Sequence, residues 1–280
     1  MVTSVILEKF ADIVSTPDEK ISLIEAALLI ACNEYPELDV SDYLQRFNHM
    51  TDELHERVIG CRSTEDIVLA LNEYLFDELA FTGNLSNFND PKNSFLNDVL
   101  DRKLGIPISL SVIYIELGRR IGLSVSGVSF PGHFLVKISM TEGELVIDPF
   151  SKGVSLGEKE LEERLEQISK SQKGNWTLSE MLKPASNKQI LSRMLRNLKN
   201  IYLETEAYER ALDMVNFALL IFPGEAAEIR DRAFIYDQMN CYRAAIEDYQ
   251  DYLMLTPAGG DTVYVKTRLA ELKHSARRLH

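Results

Sequence analysis

Four residue pairs near the end of the chain are separated by the same distance. Tyr202 and Tyr236, Tyr208 and Tyr242, Ala211 and Ala245, and Pro223 and Pro257 each lie 34 residues apart. A fixed period of this length means that one supersecondary unit is repeated, and that each unit buries its apolar face only against a neighbour. This constrains residues 188–280 more tightly than any other feature of the 280-residue chain. It also leaves the remaining two thirds of the sequence for at least one separate core.

The period and its residue types resemble the tetratricopeptide repeat. The resemblance implies two antiparallel helices per unit. Ala211 and Ala245 are small enough for the paired helices to approach closely, and Pro223 and Pro257 end each second helix. Lys199 and Tyr252 stand where this pattern usually has a small residue. Residues 261–278 are expected to form a closing helix.

Residues 1–90 read as helical. "TPDE" at 16–19 offers Thr16 as N-cap, Pro17 at the first helical position and Glu19 to close a capping box. Ile21, Ile24, Leu28 and Cys32 follow as one buried stripe. Ser41 begins a second helix, with Tyr43, Leu44, Phe47 and Leu54. "STED" at 63–66 caps a third, with Ile67, Leu71, Leu75 and Leu79. This part holds 5 Lys/Arg against 18 Asp/Glu, which is the whole of the chain's net charge of −13. So acidic a chain repels phosphate backbones, which argues against nucleic acid as a partner. The longest apolar runs, such as "AALLIAC", fall short of a membrane span. With no signal-peptide pattern at Met1–Phe10, the expected location is the cytoplasm. Cys32, Cys61 and Cys241 are odd in number and far apart, so they read as buried inert thiols rather than a disulfide or zinc framework.

Residues 91–187 change character. "SFLNDVLDRKLG" reads as a short helix stopped by Gly105. Pro107 then suits the first turn of a helix that is apolar almost all round from Ile108 to Leu117, hence central. "VSGVS", "HFLVKIS" and "ELVIDPF" read as strands, the last two joined by the turn "TEG" at 141–143. Residues 151–187 are polar, with "GEKELEERLEQ" read as a solvated helix and "SKSQKGN" as a flexible connector. Three residues here suggest a nucleophile, a base and an orienting acid: Ser109 at the helix start, His133 at the head of one strand and Asp148 in the next. Each also has a structural reading. A serine at a helix start is most often a cap, and Ser111 is equally available. His133 and Asp148 fall near one another if the strands pair around 141–143, and each then explains the burial of the other.

This segment resembles the transglutaminase-like superfamily, whose core is papain-like. Its pattern is Gly-x-Cys at the start of a central helix, then His on one strand and Asp before Pro on the next. "GHF" and "IDP" match the last two elements. More narrowly, "NSFLNDVLDRKLGIPISLSVIYIELGRRIGLSVSGVSFPGHFLVKI", followed by "IDPF" and the repeats, is similar to the bacterial SirB-type family. The resemblance implies an α+β fold in three parts: an acidic helical N-terminal region (1–90), a transglutaminase-like core (91–187) and a tetratricopeptide-repeat-like region (188–280). It departs from the superfamily at the nucleophile, because "GIP" puts Pro107 where the cysteine would stand. The expectation is a non-catalytic, regulatory scaffold that takes a protein or peptide partner through the repeats. The alternative is an amide or ester hydrolase, or acyl transferase, using Ser109, His133 and Asp148. No cofactor is expected, and the scattered histidines offer no metal site.

Overall fold

Side chains that satisfy orphan backbone N–H groups mark where several helices of this chain begin. In the computed structural model, which describes residues 4–172 and 176–278, Ser63 and Asp66 close both halves of a capping box. The box read at 16–19 does not form. Residues Asp18–Lys20 make one 3-10 turn, and the helix begins only after Ser22, whose Oγ accepts from the Glu25 N–H. Asp18 is engaged elsewhere: its carboxylate accepts from the N–H groups of Asn187 and Lys188, at 2.8 and 2.9 Å, and so caps a helix 170 residues away.

The chain divides into two compact units, residues 16–194, and residues 1–15 with 195–280. The helix α1 (Ser4–Ser15) belongs to the second. The first opens with α2 (Leu23–Ala31), α3 (Val40–Val58) and α4 (Thr64–Asn72), and α4 runs on into a π-helical turn at Glu73–Glu78. Ile21, Ile24, Leu28 and Cys32 are buried as read, and so is almost every other residue of α2. A short strand β1 (Thr82–Gly83) precedes α5 (Leu96–Arg102) and pairs in parallel with β2 (Leu104–Gly105). It is Lys103, in the left-handed region at φ 60°, that ends α5, two residues before the expected Gly105.

Helix α6 (Pro107–Arg120) is buried on every side from Pro107 to Gly118. The strands β3 (Val125–Val128), β4 (Leu135–Met140) and β5 (Gly143–Asp148) follow as expected. Two more complete the sheet: β6 (Val154–Leu156) and β7 (Pro184–Ala185). The order is β6-β5-β4-β3-β7, all antiparallel, with Val136 opposite Ile147. Both added strands come from the stretch read as polar, where edge strands of two or three residues leave no alternation to read. One sheet face rests on α6, where Gly118 makes room for Val125. The other carries Val128, Leu135, Val146 and Leu156, which pack with Leu161 and Leu165 of α7 (Glu158–Gln172). Helix α7 is therefore amphipathic rather than solvated all round. It takes in the first four residues of the expected connector at 169–175, while 173–175 lie outside the described residues. A short α8 (Leu178–Met181) leads to β7.

The repeats are two helix hairpins. Helices α9 (Asn187–Glu204) and α10 (Tyr208–Ile221) form the first, α11 (Ala226–Gln238) and α12 (Tyr242–Leu255) the second, and α13 (Thr262–Arg278) closes the unit. Helices α10 and α12 begin and end 34 residues apart. Tyr202, Ala211 and Ala245 are buried, whereas Tyr236 packs on the edge of its cluster and is only half-buried. Lys199 is explained by what it reaches: its Nζ lies 2.8 Å from Glu228 and 2.6 Å from Asp231, both on α11. The position one period later, Ala233, has the small residue. Because Ala245 is wholly covered, Ala245→Leu is expected to destabilise the repeats by about 1–3 kcal/mol through overpacking, read from the urea midpoint of helix unfolding.

Candidate functional site

The start of α6 is built from backbone needs. Pro107 occupies its first turn, where the missing N–H costs nothing. Ser109, fully buried, accepts from the Ile106 N–H at 3.0 Å. Its own proton goes to the Asn93 carbonyl at 2.6 Å, with the Ile106 carbonyl at 3.1 Å as a second acceptor. A Cβ on Gly105 would come within 2.8 Å of that oxygen, so the glycine is required for the hydroxyl to sit there. Asn93 is itself held. It donates to the carbonyls of Asn87 and Phe88 and accepts from Asn84. Ser109 thus ties the central helix to the 84–93 loop. Ser111 is buried as well, with its Oγ 3.5 Å from the Phe134 carbonyl.

His133 follows the Pro131-Gly132 turn, where Gly132 has φ 69°. Its N–H donates to the Phe130 carbonyl, and its own carbonyl accepts from Arg193 at 2.8 Å. The ring meets Asp148: Nε2 lies 2.8 Å from Oδ1. The β4–β5 register, continued by one pair, puts Asp148 opposite Leu135, two residues from His133. An edge contact with Phe150 holds the other side of the imidazole at 5.9 Å, and Phe150 in turn meets Phe88 at 6.1 Å. A Cβ on Gly83 would lie 2.5 Å from the Phe150 ring, so this glycine makes room for it.

Asp148 ends β5 and caps the 3-10 turn Pro149–Ser151. Its Oδ1 accepts from the N–H groups of Phe150 and Ser151, at 3.0 and 3.3 Å, and its Oδ2 from the Ser151 hydroxyl at 2.8 Å. Arg164 of α7 approaches Oδ2 at 3.9 Å. Burial pushes the carboxyl's pKa up, but the hydrogen bond and charge of His133 and the bonds from Ser151 outweigh it, and the net direction is down. Asn72 buttresses the turn. It donates to the Gly153 carbonyl at 3.1 Å and accepts from the Tyr114 hydroxyl at 3.0 Å.

His133 and Asp148 are therefore together, and Ser109 is apart from them in its hydrogen bonding. With Nε2–H directed at a carboxylate, the neutral imidazole carries its lone pair on Nδ1 and can accept a proton or a hydrogen bond there. A nucleophilic role for Ser109 would need its hydroxyl to leave two backbone groups it satisfies in the interior. The cysteines are not all buried as read: Cys32 is buried, Cys61 half-buried and Cys241 exposed. Among the described residues no group of three or more His, Cys, Asp or Glu side chains is placed to hold a metal ion. None of their helices is long and apolar enough to cross a membrane. Sequence reasoning missed Asn72, Asn84, Asn93 and Ser151. Single polar residues carry no periodic signal, although Ser151, three residues past Asp148 and beyond a proline, has the spacing of a capped turn.

Residues 41–196 match the model of the transglutaminase-like superfamily, and residues 198–270 that of the tetratricopeptide repeat. The whole chain is 36% identical to the whole of a UPF0162 protein from Xylella fastidiosa strain Temecula1. It is 29% identical, over 92% of its length and 95% of the relative's, to a UPF0162 protein of Vibrio cholerae. It is 27% identical to the protein SirB1 of Salmonella typhimurium, over 88% of its length and 90% of the relative's.

Proposed function

The chain belongs to the transglutaminase-like superfamily, within the SirB-type family of UPF0162 and SirB1 proteins, and from that premise we propose that it is a non-catalytic scaffold with a regulatory role. Its transglutaminase-like core acts as a rigid base, and its tetratricopeptide repeats take a protein or peptide partner. The observation that carries the reading is the hydrogen bonding of Ser109. Its hydroxyl is spent on the Ile106 N–H and the Asn93 carbonyl; the likeness of "GIP" to Gly-x-Cys, which puts Pro107 at the superfamily's nucleophile position, supports the same reading. A His–Asp pair without a nucleophile binds and orients but forms no covalent intermediate. A working place in the cytoplasm and the absence of a nucleic-acid partner belong to the same reading, the second supported by the net charge of −13.

The test is active-site labelling of the intact protein. A fluorophosphonate probe should leave Ser109 unmodified, and iodoacetamide should modify nothing beside the His133–Asp148 pair. Labelling of Ser109 that disappears in a folded His133→Ala protein would replace the scaffold with a hydrolase or acyl transferase using Ser109, His133 and Asp148.

A further inference from the structure

The second hairpin leaves a groove of about 640 Å³ between α12 and α13. Leu253, Met254 and Leu269 give it its apolar surface, and Glu247, Gln250 and Asp251 line the rest. Residues 247, 250, 251 and 254 recur at three and four, so they form one stripe along α12. Met254 is 73% exposed, high for an unbranched apolar side chain on a helix flanked by a groove.

The repeat itself indicates what fits there. Thirty-four residues earlier, the same stripe on α10 is Asp213, Asn216, Phe217 and Leu220. At Phe217 that face is covered by α1, an amphipathic helix from the far end of the sequence, while Leu220 stays 36% exposed. Phe10 of α1 meets Phe217 edge-on at 4.9 Å, and both rings are fully buried. One unit of the stack thus already holds an added amphipathic helix on this stripe. On α12 the residue equivalent to Phe217 is Asp251, and Glu247 stands one turn before it. An acid at the first position, Asp213 and then Glu247, is common to both stripes; the difference is that the buried Phe217 gives way to Asp251, which leaves two acids beside the apolar contact on α12.

We propose that the α12–α13 groove docks an amphipathic helix of a partner protein, with apolar residues seated on Met254 and Leu269 and lysine or arginine facing Glu247 and Asp251. Opposite charges across a rim fix register and speed association, while the apolar contacts supply residence time. The inference rests on the scaffold reading and names the partner surface that reading leaves open.

The test uses the full chain and two synthetic 18-residue helical peptides with the same leucine face, one lysine-rich and one glutamate-rich, followed by fluorescence anisotropy. The lysine-rich peptide should bind, and the glutamate-rich one at least tenfold more weakly. Met254→Glu should weaken binding by tenfold or more, and so should Glu247→Lys with Asp251→Lys. The charge-matched control Glu56→Lys with Glu65→Lys, in the other unit, should leave binding within twofold. Equal loss in the control means general attraction to an acidic protein, and overturns the proposal. So does a protein that sediments as a dimer which Met254→Glu dissociates, since the occupant is then a second copy. Failure of the peptide with Ser109 still unlabelled removes this surface and leaves the scaffold standing. Labelling of Ser109 removes the scaffold whatever the peptide does.

Discussion

Lys199→Ala is expected to lower the stability of the repeat unit by about 3–5 kcal/mol, the range for breaking one side of a buried ion pair. The lysine is only 4% exposed, and its ammonium bridges Glu228, itself 5% exposed, and Asp231. Removing it does not strand the two carboxylates equally. Asp231 keeps Arg230, at 2.7 Å. Glu228 is left as a buried charge with its cation gone, and that stranded charge is the source of the cost. The double variant Lys199→Met with Glu228→Leu should therefore cost much less than the sum of the two single changes, because it removes the charge together with its partner. Urea unfolding followed by far-ultraviolet circular dichroism measures all three. A loss under about 1 kcal/mol for Lys199→Ala, or a double variant as costly as the sum, would show that Glu228 finds water or another donor once the lysine is gone.

The position of Lys199 shows how far the sequence could be read. A period of 34 with matched Tyr, Ala and Pro residues sets the two hairpins, because packing repeats with the sequence. What the period could not supply was the reason for a lysine at a small-residue position. Its partners lie 29 and 32 residues on, across a helix pair, and nothing local marks them. The same division holds in the first unit. Helix α6 was legible from the mostly apolar run Ile108–Leu117 behind Pro107, and the His133–Asp148 pair from two strands and a turn of known length. The cap at 16–19 was misread because Asp18 is spent on Asn187 and Lys188, a tertiary contact that overrides a good local signal. Strands β6 and β7 escaped because two or three residues carry no periodicity. For Ser109 the local rule was the better guide: a serine in the first turn of a helix serves the backbone there, here the Ile106 N–H.

Asp148→Ala is expected to cost about 3 kcal/mol or more, against about 1–2 kcal/mol for His133→Ala. The asymmetry follows from the hydrogen bonds. Asp148 is 1% exposed and accepts from His133, from the N–H groups of Phe150 and Ser151, and from the Ser151 hydroxyl. Without the carboxylate, two backbone donors and a hydroxyl in a half-buried turn lose their acceptor together. Without the imidazole, the carboxylate still has three donors. The pH dependence has a definite sign. The folded carboxyl titrates below its ordinary 3.8, so in acid the unfolded chain takes up the proton first. The stability this group adds is complete above about pH 4 and is lost as pH falls through the lowered folded value. Asp148→Asn lacks that titration, while every other carboxylate titrates alike in both proteins and cancels in the comparison. Below the range in which imidazoles ordinarily titrate, the gap between wild type and Asp148→Asn in urea midpoint should therefore narrow from pH 5 to pH 3. A gap that is constant or widens on acidification would contradict a lowered carboxyl pKa. Equal losses for Asp148→Ala and His133→Ala would mean that pairing with the imidazole, not capping of the 149–151 turn, is what keeps the carboxylate buried.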